Sequence, residues 1–238
     1  MVLTLDDLAA ATGHDPLMTW AADRPSARVF ARPGAVAVAC PDLSRRDRLA
    51  VHGGPDAVAE LLRDVLPLVG PTFRPLGDES LLTAVSERLP SVAVAGRFGW
   101  MDTAEPPAAD ESQRPHWLGS GELPEVTALL ASASPESYAR PGGSGVARWA
   151  GVRAEDGTLL AVAADAWSSG RIGFLAGVAT AAHARGRGLA SELCAFVTRE
   201  LLAGRDRVAL FVDHSNSAAL ATYKRLGFVL RPIAASRW

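Results

Sequence analysis

The feature that most restricts the fold is the order of strand-like and helix-like segments in the second half of the chain. Helices are predicted where apolar residues recur every three or four positions, and strands where apolar runs are bounded by turn residues. The segments are, in order, a helix over 121–133, two strands around the Asp156-Gly157 turn, a strand over 171–180, a helix over 188–204, a strand over 207–213, a helix capped by Ser215 or Asn216 and ended by Gly227, and a strand over 228–233. This order predicts a mixed α/β layer structure.

The first half of the chain repeats this rhythm more faintly. Its segments are strands over 34–40 and 46–54, a helix over 55–69, a strand over 72–76, a helix over 78–89 and a strand over 91–100. An ancient duplication of one half is one explanation of this similarity. The other is that any α/β segment shows a similar alternation of strands and helices.

A stretch rich in proline and acidic residues, Met101–Pro115, separates the two halves. It has no apolar period and therefore predicts a linker or a long loop. We expect a smaller N-terminal α/β domain over 1–105, a linker over 106–115 and a second domain over 116–238. Trp100 and Trp117 flank this stretch, where a packing role is favoured over a place in a binding pocket.

Composition argues against several classes of protein. A formal net charge of −2 gives no overall attraction to nucleic acid or to acidic membranes, so any anion site has to be local. Cys40 and Cys194 lack the spacing of metal ligands and are expected to be buried free thiols. No uncharged apolar run reaches about 18 residues, and the acidic N-terminus lacks the basic start of a signal peptide. We expect a cytoplasmic protein with no metal, nucleic-acid or membrane partner.

A glycine-arginine loop precedes the helix predicted over 188–204. The loop contains Arg185, Gly186, Arg187 and Gly188. The first N–H groups of a helix lack internal partners, and glycines let a ligand approach them closely. Arginines add charge and donors, so the pattern favours a phosphate or pyrophosphate site. The alternative is a solvated basic turn that caps a surface helix.

A dinucleotide-binding motif is a second anion-site hypothesis for the same loop. It would need Gly186-x-Gly188-x-x-Ser191, with Asp213 as the ribose partner. Ser191 stands where that motif has its third glycine, and too few residues follow Asp213 to complete such a sheet. The dinucleotide reading is therefore disfavoured.

Two motifs of this chain resemble those of the GCN5-related N-acetyltransferases. Arg185-Gly186-Arg187-Gly188-Leu189-Ala190 resembles the family's pattern of Arg or Gln, two residues, Gly, one residue, and Gly or Ala. The later stretch Asn216–Phe228 resembles the family's Asn, alanine-rich turn, Tyr and Gly-Phe. The resemblance covers the chain from about Gln113 onward. Within the family it is most similar to the branch with a degenerate N-terminal half, as in glycine N-acyltransferase-like proteins. It implies a mixed central sheet flanked by helices.

The resemblance implies acetyl-CoA as co-substrate and a primary amine as acceptor. The pyrophosphate would lie on the backbone N–H groups from Gly186 to Ser191, and the pantetheine arm would pair with the strand at Val178–Thr180. A backbone amide of that strand would hold the oxyanion formed on the thioester carbonyl. The implied cofactor-binding residues are Val178, Ala179, Thr180, Arg185, Gly186, Arg187, Gly188, Leu189, Ala190, Ser191 and Asn216, the last of which could instead cap a helix.

Tyr223 is the implied general acid, because a phenol within reach can protonate the departing thiolate. The general base is not apparent, since Phe211 stands where several relatives carry an acid. Asp213, His214, Asp165 and His116 are nearby titratable candidates, and none stands out.

Two function classes therefore stay open at this stage. The first is an N-acetyltransferase that acts by direct attack of the amine on acetyl-CoA, with a small-molecule or peptide amine as acceptor and a homodimer as a common assembly of the family. The second is a catalytically silent acyl-CoA-binding sensor or scaffold. Phe211 favours the second class, and the intact Tyr223 favours the first.

Overall fold

The structure is a computed structural model that describes residues 4–108 and 115–238. Residues 1–3 of the acidic N-terminus lie outside the described residues, as do 109–114 of the expected linker, where the family resemblance begins at Gln113. Within the described ranges, no helix is long and apolar enough to cross a membrane.

Helices and strands alternate along the described chain. In chain order they are α1 (Leu5–Ala11), α2 (Pro16–Ala22), β1 (Arg28–Arg32), β2 (Ala35–Cys40), β3 (Arg48–Gly53), α3 (Pro55–Val69), β4 (Arg74–Asp78), α4 (Glu79–Arg88), β5 (Ala93–Thr103), β6 (His116–Trp117), α5 (Leu123–Ala133), β7 (Val146–Arg153), β8 (Leu159–Ala166), β9 (Ile172–Thr180), α6 (Leu189–Leu202), β10 (Arg207–Val212), α7 (Ser217–Arg225) and β11 (Val229–Arg237). Ser120–Glu122 and Ala182–Ala184 are short 3-10 turns. The mixed α/β class predicted from the sequence is confirmed.

The chain divides into two compact units, each built from more than one stretch. Unit 1 contains the residues up to Trp100, together with Val212–Ser215 and Leu230–Trp238. Unit 2 contains Met101–Phe211 and Asn216–Val229. The expected domain boundaries at 105 and 116 stay a prediction.

The sheet of unit 1 begins with an antiparallel meander. β1 pairs with β2 and β2 with β3, both antiparallel, and β3 then pairs in parallel with β4. β11 pairs antiparallel with β4 and lies between β4 and β5. α3 packs on this sheet because Val58, Leu62 and Val65 recur at helical spacing and are buried against Ala37 and Leu49.

Unit 2 repeats the arrangement around a longer meander. β6, β7, β8 and β9 pair antiparallel in that order. β9 and β10 pair in parallel over Ile172–Phe174 and Arg207–Ala209. α6 packs against β8 and β9 through buried residues that include Leu193, Val197 and Leu201. Gly173 permits this approach, because a Cβ there would lie 2.8 Å from the Leu201 Cβ.

All the segments predicted from periodicity and turn residues are confirmed, with boundaries shifted by a few residues. Periodicity and turn residues did not predict α1, α2, β1 or the two-residue β6. α1 and α2 have seven residues each, too short for a clear period. Their caps were the available signal: Thr4 and Asp7 form a capping box, and Asp15 caps α2 immediately before Pro16.

A buried ion cluster joins three elements of unit 1. Arg231 of β11 donates two hydrogen bonds of 2.8 Å to the Asp15 carboxylate, and His52 Nδ1 of β3 lies 3.4 Å from it. The Asp15 side chain is only 8% exposed. Burial alone would raise the pKa of Asp15, but hydrogen bonds with His52 and Arg231 and the charge of Arg231 outweigh it and hold that pKa well below its usual range.

Substituting Asp15→Asn is expected to lower the free energy of unfolding at pH 7 by about 2 kcal/mol, because a charged hydrogen-bonded partner of Arg231 is removed. A carboxylate with a depressed pKa stabilises the fold above its unfolded pKa of about 4, and this contribution is lost as the pH falls toward the folded value. Urea unfolding at pH 7 and pH 3 should therefore show the gap between wild type and variant shrinking at pH 3. The exposed Asp64→Asn on α3 is the control, and a gap that is equal at both pH values would contradict the role of Asp15.

Candidate functional site

A cavity of about 860 Å³ lies within unit 2. Its walls are the end of β9, the loop and first turns of α6, the C-terminal end of α5, and α7. The lining residues are Ala133, Ser134, Val178, Ala179, Thr180, Ala184, Arg185, Gly186, Gly188, Leu189, Ala190, Ser191, Cys194, Asn216, Ala218, Ala219, Ala221, Thr222, Tyr223 and Arg225. The predicted cofactor-binding residues all line this cavity except Arg187, and so does Tyr223.

A β-bulge in β9 shapes one wall. Val162 of β8 pairs with Ala179, but Ala164 pairs with Ala176, so β9 has one extra residue between these pairs. Gly177 lies in the bulge with φ +63°, the left-handed conformation that favours glycine. A bulge leaves backbone groups outside the ladder, and here it lies directly before the cavity-lining Val178.

Glycine is also the only amino acid that fits at position 177. A Cβ there would lie 2.6 Å and 2.9 Å from two ring carbons of Trp149, whose side chain is buried on β7. The bulge and the tryptophan therefore both require glycine at this position. The glycine adopts the left-handed backbone conformation of the bulge, and its missing side chain leaves space for the indole ring.

The glycine-arginine loop leads into α6 as predicted. Gly186 and Gly188 have φ of +75° and +80°, and Gly188 is the N-cap, with no side-chain capping bond. The Ser191 N–H donates to the Gly188 carbonyl at 2.9 Å, so its amide is used within the turn. The N–H groups that precede it, of Gly188, Leu189 and Ala190, are those that a helix leaves without internal acceptors. The loop therefore presents backbone donors and the positive end of a helix to the cavity.

The two arginines of the loop differ in their surroundings. Arg185 donates from Nε to the Thr180 carbonyl and from a terminal nitrogen to the Ala133 carbonyl, both at 3.3 Å. It thereby joins the end of β9 to the end of α5. Arg187 is exposed and does not line the cavity.

Asn216 and Tyr223 bring α7 to the same cavity. The Asn216 side-chain oxygen accepts a hydrogen bond from the Ala219 N–H at 3.1 Å, so the predicted capping role is confirmed. The side-chain NH₂ of Asn216 is a donor that this bond does not use.

Tyr223 is buried beside the Cys194 thiol. Burial raises the pKa of Tyr223 well above its ordinary value, and the neighbouring Cys194 raises it further. Burial also raises the pKa of Cys194 to about 12. At neutral pH the cavity therefore contains a phenol that holds its proton and a thiol that is not ionised, which suits proton donation by the first and disfavours nucleophilic attack by the second.

The four candidate bases lie outside the cavity lining. Asp165 pairs with Arg148 and accepts from Ser168, and Asp213 accepts from the N–H and hydroxyl of Ser215 at 2.8 Å. His214 lies 3.9 Å from Glu79, and His116 is exposed in β6. Phe211 packs edge-on against Phe174 at 5.1 Å. No carboxylate is among the described residues that line the cavity.

Four lining residues were not predicted as site residues: Ser134 and Cys194, which lie outside the two motifs, and Thr222 and Arg225, which lie within the second motif. The helical period of α7 could have placed Thr222 and Arg225 on one face. Within the described residues, no group of three His, Cys, Asp or Glu side chains could hold a metal ion.

Comparisons with known proteins match parts of this chain. Residues 151–238 match the family model described as FR47-like protein. A stretch of 62 residues is 45% identical to mycothiol acetyltransferase from Salinispora tropica, covering 25% of this chain. The match spans only 20% of the length of that curated relative.

Solved structures share the fold over most of the chain. A GCN5-related N-acetyltransferase from Kribbella flavida matches with a TM-score of 0.58 and 17% identity, covering 89% of both chains. A GCN5-related N-acetyltransferase-like protein from Streptococcus suis matches with a TM-score of 0.56 and 13% identity, covering 98% of both. The fold is that of the GCN5-related N-acetyltransferases.

Substituting Gly177→Ala is expected to lower the free energy of unfolding by about 2 kcal/mol or more, because left-handed strain adds to the clash with Trp149. Gly186→Ala is the matched control: its φ is also positive, but a Cβ there meets nothing within 4 Å. That control should lose only about 1 kcal/mol, from strain alone. Thermal and urea unfolding measure both, and equal losses would contradict the packing of Trp149 against the bulge.

Proposed function

We propose that the protein transfers an acetyl group from acetyl-CoA to a primary amine, which attacks the thioester directly. The observation that carries this proposal is the single cavity on which the β9 bulge, the N-terminus of α6 and Tyr223 converge. Each of these features supplies one requirement of acyl transfer: a strand for the amide-bearing arm, donors for phosphates, and an acid for the leaving group.

The cavity suits CoA in shape and in charge. The pantetheine arm would lie along Val178–Thr180, where amide groups of the arm can pair with strand backbone. The pyrophosphate would accept hydrogen bonds from the loop and first turn of α6, over 186–191, with most of the donors from Gly188, Leu189 and Ala190. Arg185 would hold this loop in place through its carbonyl partners. Arg187 would contribute only the long-range attraction of its positive charge for the pyrophosphate, since its side chain is exposed.

Acetyl-CoA would supply the activated acetyl group as a thioester. A backbone N–H at the β9 bulge would polarise the thioester carbonyl. Tyr223 would donate its phenolic proton to the sulfur as the carbon–sulfur bond breaks, and Asn216 would offer its side-chain NH₂ to the pantetheine arm. The attacking nitrogen would release its proton to water, which agrees with a lining that holds no carboxylate among the described residues.

The acceptor class that we propose is the primary amine of a small molecule or a peptide. The relative from Salinispora tropica carries the name mycothiol acetyltransferase, which supports a small-molecule acceptor. Neither nucleic acid nor a membrane belongs to this proposal, and a homodimer is its proposed assembly.

We further propose that the N-terminal half, over 1–105, is a degenerate copy of the acetyltransferase half over 116–238, as in the glycine N-acyltransferase-like branch. The order helix, three strands, helix, strand, helix, strand occurs in α2 to β5 and again from α5 to β11. In the first half the anion loop is missing: Gly54 alone joins β3 to α3, Pro55 offers no N–H, and Asp56 pairs with Arg88.

An acyl-CoA sensor is the second candidate function. The apolar Phe211 and the absence of a carboxylate from the described lining favour it. Such a protein would bind acetyl-CoA in the same cavity but would not release its thiol.

The test of the proposal is free-thiol release from acetyl-CoA at pH 8 with a panel of peptides with free N-termini, lysine peptides, polyamines, aminoglycosides and amino acids. We expect release with one class of amine. Binding of acetyl-CoA without release across the panel would favour the sensor, and absence of binding would overturn both functions.

Substituting Tyr223→Phe is expected to lower kcat about a hundredfold, because the leaving thiolate loses its proton donor. The KM for acetyl-CoA should change less than about threefold, since the ring stays in place. Tyr138→Phe removes the same hydroxyl from the other tyrosine of the chain, which is exposed, and serves as the control. An unchanged kcat in Tyr223→Phe would remove the proposed general acid.

A further inference from the structure

Two arginines line the cavity, and their guanidinium groups have different partners. Arg185 reaches two backbone carbonyls, at the end of β9 and at the end of α5. Arg225, at the C-terminal end of α7, donates only to the Thr222 hydroxyl, at 3.3 Å. Among the described residues, no carboxylate pairs with Arg225, whereas Arg97, Arg153 and Arg207 each pair with at least one.

The position of Arg225 on α7 separates it from the reacting end of the cavity. Residues two apart on a helix point about 200° from each other, so the side chains of Tyr223 and Arg225 leave α7 in nearly opposite directions. Tyr223 is buried beside Cys194, whereas Arg225 is exposed. The phenol therefore lies at the inner end of the cavity and the guanidinium at its outer rim.

Small side chains precede Arg225 on the same face of α7. Ala218, Ala221 and Arg225 follow each other at spacings of three and four residues and all line the cavity. This face thus leaves room for a ligand along the helix and places one unneutralised positive charge at its end.

Coenzyme A carries one phosphate that the α6 turn does not account for. Its pyrophosphate is matched by the backbone donors of that turn, but a third phosphate lies on the 3′ oxygen of the ribose, and this group carries close to two negative charges near neutral pH. We propose that Arg225 binds the 3′-phosphate and makes the site selective for CoA over 3′-dephospho-CoA. This inference rests on the proposed use of acetyl-CoA.

Calorimetric titration of CoA and of 3′-dephospho-CoA into the full chain tests the inference. Wild type should bind CoA about tenfold more tightly, in line with one charge-assisted contact at a partly solvated site. Arg225→Gln should weaken CoA binding about tenfold and leave 3′-dephospho-CoA binding unchanged. Thermal unfolding checks that the variant is folded.

Lys224→Gln is the matched control, because it removes one positive charge from the same turn but does not line the cavity. It should keep the preference for CoA.

Three results would overturn the inference. The first is that wild type binds CoA and 3′-dephospho-CoA with equal affinity. The second is that Arg225→Gln weakens the binding of both ligands equally, which would place the guanidinium on another part of CoA. The third is that Lys224→Gln loses the preference for CoA as much as Arg225→Gln does. In each of these cases CoA still binds, so the proposed function survives. If wild type binds neither ligand, the proposed function fails together with the inference.

Discussion

The candidate site depends on one contact, that of a left-handed glycine with a buried tryptophan. Gly177 lets β9 take an extra residue, and the missing side chain leaves space for Trp149. Because of this bulge, the backbone at Val178–Thr180 leaves the register that β8 would otherwise impose. Pairing with β10 is confined to the first residues of β9, through Phe174. The last residues of β9 can therefore line a cavity while its first residues hold the sheet together.

The first half of the chain has the same order of elements but, in its described residues, has neither the bulge nor the glycine-arginine loop. β2 and β3 pair residue by residue from Ala35–Gly53 to Cys40–Arg48 with no bulge. A Cβ at Gly53 would collide with the Gly34 carbonyl oxygen, and the φ of Gly53 is +132°, so the end of β3 requires a glycine here. One glycine and one proline then lead directly into α3. The same order of elements thus gives a glycine loop that lines a cavity in one half and a one-residue junction in the other, so a few local residues decide the difference.

The sequence predicted the fold where local signals are strong and failed where tertiary contacts decide. The hairpin at Asp156-Gly157 and the helix after Gly188 follow from turn chemistry and apolar period, and the structure has both. About half of the cavity lining, 11 of its 20 residues, followed from the family resemblance. Arg225 and Cys194 could not be found in this way, because their place depends on which faces of α7 and α6 turn toward the cavity. The different roles of Arg185 and Arg187 could not be predicted either, because they depend on where the Thr180 and Ala133 carbonyl groups lie.

The placement of β11 has a consequence for how the molecule is made. β11 lies between β4 and β5 in the sheet of unit 1, yet about 130 residues separate it from β5 along the chain. A ribosome releases the first hundred residues well before β11 has been synthesised. Until then the sheet of unit 1 lacks the strand that lies between β4 and β5. Unit 2 has most of its strands by then. The unit synthesised first is therefore the one completed last, and a shortened C-terminus would damage the N-terminal unit directly.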